Sequence, residues 1–137
     1  MRRLSLALSC LLVVSMIAAV NAAEKPSAEF QKAMKDLGGA MAALGKPGAS
    51  EDFELGKKQG QAAKDAFAVV LKYWNTKGAP DAVKLSDAGA KAAADLFVSA
   101  NLSSSEGIQA AMKDMGATCQ ACHQAHREKT ADGFEIK

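Results

Sequence analysis

Cysteine, proline, histidine and aromatic residues are all scarce in this 137-residue chain. It has three cysteines, three prolines, two histidines, one tryptophan and one tyrosine. One cysteine, Cys10, lies in the leader-like first 22 residues. The remaining two cannot build the disulfide framework common in small exported domains. The excess of cations is only two, and Arg2 and Arg3 account for it, leaving fifteen residues of each sign. That balance excludes a basic nucleic-acid-binding domain. No stretch shows the period-two alternation of a strand, which removes the βαβ setting of a thioredoxin-like redox pair.

The one long apolar run is at the start. Met1-Arg2-Arg3 is a basic head, and Leu4 to Val20 is apolar except for Ser5, Ser9 and Ser15. Val20-Asn21-Ala22 then offers residues that a signal peptidase reads. The pattern predicts a secretory signal over residues 1–22, cut after Ala22. The run is short for a span of about 20 residues. Ala7-Leu8-Ser9 makes a poor lipid-attachment motif before Cys10. The expected product is a single periplasmic domain, residues 23–137, with no membrane span after processing.

What is abundant is helix-forming Ala, Lys, Leu, Met and Gln. Gly and Pro clusters at residues 45–48 and 78–80 divide the chain, and Ser103-Ser104-Ser105 marks a third break. The first helix is expected from Ser27 to Leu44, with Phe30, Met34, Leu37, Met41 and Leu44 on one seam. The second starts after Ser50, carries Phe53, Gly56, Gly60, Ala63, Phe67, Val70 and Trp74 inward, and ends near Lys77. The third covers Asp81 to Ala100, with a stripe of Leu85, Gly89, Ala92, Leu96 and Ser99, and Ala93 and Phe97 beside it. The fourth, opened by a Ser103–Glu106 capping box, runs to Lys129 through Ile108, Met112, Met115, Cys119, Cys122 and His126. The tail, with its Asp132-Gly133 turn, is expected as a short cap or a frayed end. Four amphipathic helices with short links predict an all-α, antiparallel, up-down-up-down four-helix bundle.

Cys119-Gln120-Ala121-Cys122-His123 is the C-x-x-C-H signature of covalent haem c attachment. Two thiols bond to the two vinyl groups, and the adjacent imidazole takes one axial position on iron. Spacings of three and four put Cys119, Cys122 and His123 on one helical face. A zinc site fails on geometry. Its four ligands would be these residues plus His126, all on one helix, where they cannot surround one ion.

The expected topology suggests a second axial ligand. Met34 is seven residues in from Ser27, and His123 is six back from Lys129. At about 1.5 Å per residue both lie roughly 10 Å from one bundle end. A Met34 thioether there could face iron opposite His123, an arrangement that raises the reduction potential. The competing role is a plain core filler. Met41 lies two turns further away. Trp74, Val70, Leu85 and Gly89 are expected as pocket wall, with the Trp74 indole N–H available to a propionate. Arg127, one turn past His123, is a candidate for a propionate contact or a solvated helix end. His126 leans to a neighbouring face.

The chain resembles the class II c-type cytochromes, the cytochrome c′ family, especially its low-spin methionine-ligated members. Cys119 to His123 followed by Arg127, the Phe30-Gln31-Lys32-Ala33-Met34-Lys35 segment followed by Met41, and Trp74 before an Ala-rich third helix carry the likeness. The resemblance implies a bundle with one covalent haem near one end and Met34 as sixth ligand. It also implies redox partner proteins, and homodimers are common in the family. Five-coordinate members lack the distal ligand and bind NO or CO. Many members have a basic residue where Phe30 stands, so no propionate contact is carried over from the first helix. A one-electron carrier is the expected function, with gas binding the alternative. The first helix offers Phe, Met, Leu and Met on its seam, which is no acid–base set, so an enzyme is not expected.

Overall fold

The computed structural model describes residues 24–131 and 133–137. The expected signal segment and Cys10 lie outside them. Four α-helices pack against one another as a bundle: α1 (Ala28–Leu44), α2 (Phe53–Lys77), α3 (Pro80–Asn101) and α4 (Ser105–His126). Two short strands follow, β1 (Arg127–Thr130) and β2 (Gly133–Ile136). No helix among the described residues is long and apolar enough to cross a membrane.

Local chemistry sets the helix ends. Ser27 Oγ accepts from the Phe30 N–H at 3.2 Å and opens α1. Asp52 caps α2 through the Leu55 N–H at 2.9 Å, so that helix begins later than Ser50. Ala49–Glu51 form a 3-10 turn before it. Pro80 opens α3, where its missing N–H costs nothing. Gly78, with φ 67°, closes α2 in the left-handed conformation. The cap of α4 is Ser104, whose Oγ accepts from the Gly107 N–H at 3.1 Å. Ser103, the expected cap, instead makes the turn at φ 54°.

The buried seam follows the heptad rhythm. Phe30, Leu37 and Leu44 of α1 are buried, as are Gly56, Gly60, Ala63, Phe67, Val70 and Trp74 of α2. On α3 the buried residues are Ala82, Ser86, Gly89, Ala92, Ala93, Leu96 and Ala100. They therefore flank Leu85 and Ser99, which are only half-buried. Successive helices run in opposite directions. An added Cβ at Gly60 would sit 2.9 Å from the Phe97 backbone, and one at Gly56 2.9 Å from Ala100 Cβ. Near the other end of the same pair, Gly89 lies under the Phe67 ring. Helices α1 and α2, α2 and α3, and α3 and α4 are in broad contact, whereas α1 and α4 scarcely meet.

The fourth helix stops at His126, three residues before the expected Lys129. Arg127 turns extended, φ −118° and ψ 130°, and the chain folds back as an antiparallel hairpin. Arg127 pairs with Ile136, Glu128 with Glu135, Lys129 with Phe134, and Thr130 with Gly133. Ile136 packs on the core and exchanges backbone hydrogen bonds with Glu24 at 2.8 and 2.9 Å. The tail is thus an ordered ribbon tied to the start of the described chain. Burial of Ile136 and these non-local hydrogen bonds override the helix propensity of Arg-Glu-Lys.

Phe30, Tyr73 and Trp74 gather at this end, beside His126. Phe30 and Tyr73 have ring centroids 4.1 Å apart, Phe30 and Trp74 5.9 Å, and Trp74 and His126 4.8 Å. Phe30, 4% exposed, is therefore part of an aromatic plug.

Candidate functional site

Because α1 and α4 stand apart, a cavity of about 250 Å³ opens between them. Helix α1 contributes Met34, Leu37, Gly38 and Met41, and α4 contributes Thr118, Cys119, Cys122 and His123. Phe67 and Val70 of α2, with Leu85 and Ser86 of α3, form the back wall. The three residues of the attachment signature and Met34 thus line one space. Helix α4 ends at His126, so His123 lies about 4.5 Å from that end and Met34 about 9 Å from the start of α1. The levels differ by about a helical turn.

The walls are apolar in effect. Ser86 donates its hydroxyl to the Ala82 carbonyl at 2.7 Å, and Thr118 donates to the Asp114 carbonyl at 2.9 Å. Both hydroxyls are satisfied by their own helices. What faces the space with chemistry left to do is sulfur and imidazole. Both cysteines are free thiols. Burial pushes Cys119 above the ordinary thiol range. Burial, with Cys119 and Asp81 nearby, pushes Cys122 up to about 11. Burial and the Arg127 charge hold His123 below the usual histidine range, which favours the neutral imidazole that binds metals.

Gly38 adds a different signal. It lies one turn after Met34, and an added Cβ would meet nothing within 4 Å. A glycine inside a helix costs about 1 kcal/mol relative to alanine. No packing within the protein offsets that cost here. Gly38, Ser86 and Thr118 were not singled out from sequence. Only the four-residue step from Met34 could have flagged Gly38.

The other expected residues lie next to the cavity. Val70 and Leu85 line it, and Gly89 supports Phe67 from behind. Trp74 lines a second cleft of about 350 Å³, with Lys77, His126 and Ile136. Its indole Nε1 is buried without a hydrogen-bond partner. His126 is engaged with Asp81, Nε2 to Oδ2 at 2.8 Å. Asp81 is held below the usual carboxylate range by the Ala82 N–H and by His126. The Arg127 guanidinium lies 3.2 Å over the Phe134 ring. Among the described residues no group of three or more His, Cys, Asp or Glu side chains could hold a metal ion.

Comparison with protein-family models, with curated proteins and with solved structures gave no match.

Proposed function

We propose that this chain is a periplasmic monohaem c-type cytochrome that carries single electrons. Cys119 and Cys122 would hold the haem covalently, His123 would supply one axial ligand to iron and Met34 the other. The observation that carries the reading is the shared cavity, where two free thiols, an imidazole and a thioether face one apolar space. Three further observations bear on how such a group would sit. Gly38, itself exposed, leaves the α1 backbone open along one edge of the space. The Trp74 indole N–H, buried without a partner, belongs to the second cleft and not to this space. The space lies just under the usual range for clefts that enclose a small molecule, so a macrocycle would keep an edge in solvent along the α1–α4 opening.

Haem supplies a one-electron iron couple when bound. The chain's own contribution is to tether it, to exclude water with Leu37, Phe67, Val70 and Leu85, and to present a neutral His123. With both axial positions taken by protein there is no open site for substrate. The open space beside Met34 at Gly38 favours a second reading, a five-coordinate cytochrome c′ that binds NO or CO.

The optical spectrum of the mature protein decides between them. Low-spin reduced bands and a ferric methionine-to-iron charge-transfer band are expected, and Met34→Ala should abolish the latter. A high-spin spectrum that Met34→Ala leaves unchanged rejects the carrier in favour of gas binding. Colourless mature protein rejects both.

A further inference from the structure

The hairpin sorts its side chains by face. Its register puts Arg127, Lys129, Phe134 and Ile136 on one side and Glu128 with Glu135 on the other. Two carboxylates directly across a ribbon repel, so the arrangement costs stability. The hairpin's other face has no acidic side chain of its own; at its inner edge Ile136 packs on the core beside Glu24, whose carboxylate is paired with Lys77. On that face Phe134 is 51% exposed and carries the Arg127 guanidinium stacked on its ring. A stacked guanidinium keeps its in-plane N–H groups for carboxylates. Arg127 itself is half-buried, while Lys129 is exposed, and aromatic and arginine side chains on an ordered frame are the usual anchors of an interface.

Position adds to composition. The Arg127 N–H donates to the His123 carbonyl, so the ribbon continues directly from the turn that bears the imidazole. With cations and anions balanced over the expected mature chain, whole-molecule attraction offers little steering, and a local patch must supply it.

We propose that the Arg127–Lys129–Phe134 face docks an acidic redox partner protein that presents carboxylates around an apolar spot. This rests on the electron-carrier reading above. An anionic membrane is the poorer occupant. Lipid-binding patches use clusters of about four to eight cations, and this ribbon also carries Glu128 and Glu135.

The test uses haem-loaded protein and an acidic plant-type ferredoxin as the probe, followed by amide chemical shifts at low ionic strength. Residues 127–136 should shift, and added salt should weaken the complex. Phe134→Ala and Lys129→Glu should each lower the affinity about tenfold without changing the absorption spectrum, and Glu128→Gln should not lower it. An unperturbed hairpin, equal shifts with a basic cytochrome c, or preference for phosphatidylglycerol vesicles over the ferredoxin overturns the proposal. The spectrum is read before any partner is added. A colourless or high-spin protein therefore sinks the carrier reading separately, and an unmoved hairpin in a low-spin protein sinks only the docking face.

Discussion

Two sets of helix glycines behave in opposite ways here: those where α2, α3 and α4 meet, Gly89 under the cavity-wall ring of Phe67 among them, and those on the exposed side of α1. Around Gly56, Gly60 and Gly107, helices touch so closely that a single methyl group collides. An added Cβ at Gly60 comes within 2.9 Å of backbone, and at Gly107 within 2.8 Å of Ser99 Cβ. Around Met34 and Cys119, Gly38 and Gly39 face nothing within 4 Å. The first set of glycines is explained by the protein's own packing. The second is not, and Gly38 lines the cavity into which both thiols open. One region is a closed core, whereas the other leaves an apolar cavity between α1 and α4.

The largest expected contrast is in side-chain truncation. Leu96 is fully buried in the closed region. Leu96→Ala should cost about 2–5 kcal/mol, the range for a cavity made in a full core. Met34 already borders open space, so Met34→Ala should cost the haem-free protein about 1 kcal/mol or less. Equilibrium urea unfolding of the haem-free variants measures both. Equal losses would mean that the open region is packed like the closed one.

The next contrast is chemical. Cys122, pushed up to about 11, should hold about a hundredfold less thiolate than an ordinary cysteine at pH 8. Its alkylation in the haem-free protein should be slow there and rise about tenfold per pH unit as the thiolate forms. Mass spectrometry after timed iodoacetamide treatment reports it. Fast alkylation at pH 8 would show the thiol to be solvated, and the cavity wall open to water.

Much of this was legible in the chain because helices announce themselves locally. The seven-residue spacing of Phe30, Leu37 and Leu44, and the three-four spacing of Phe67, Val70 and Trp74, need no knowledge of neighbours. The attachment signature likewise puts three groups on one face by helix geometry alone. The hairpin was not legible. Arg127-Glu128-Lys129 favours helix locally, and only pairing with Gly133–Ile136 and burial of Ile136 turn it extended. Trp74 was placed at the right end of the bundle, but its cleft depends on where Glu24 and the tail settle. Gly38 hides for another reason. A glycine that packs on nothing gives no periodic signal.

A smaller effect separates the two sets of glycines by one methyl group. Gly60→Ala should lose stability, because the Phe97 backbone cannot move aside cheaply. Overpacking of about 1–3 kcal/mol outweighs a helix-propensity gain of about 1 kcal/mol. Gly38→Ala should gain about 0.5–1 kcal/mol in the haem-free protein. Opposite signs in urea midpoints support the contrast, and a loss at Gly38 contradicts it.

The finest distinction lies between two adjacent glycines. Gly38 and Gly39 are both interior to α1 and both face open space, so alanine at either should stabilise the haem-free protein by about 0.5–1 kcal/mol. They differ in that Gly38 borders the cavity. If a macrocycle fills that cavity against the α1 backbone, Gly39→Ala keeps its gain in the haem-loaded protein and Gly38→Ala loses it, since its methyl group takes space the guest would use. The quantity to compare is each variant's change in urea midpoint with and without haem. Equal gains at both positions in both forms would mean that nothing presses on this helix at Gly38. The glycine there would then owe nothing to a bound group, and the strongest structural sign of a guest beyond the C-x-x-C-H residues would be gone.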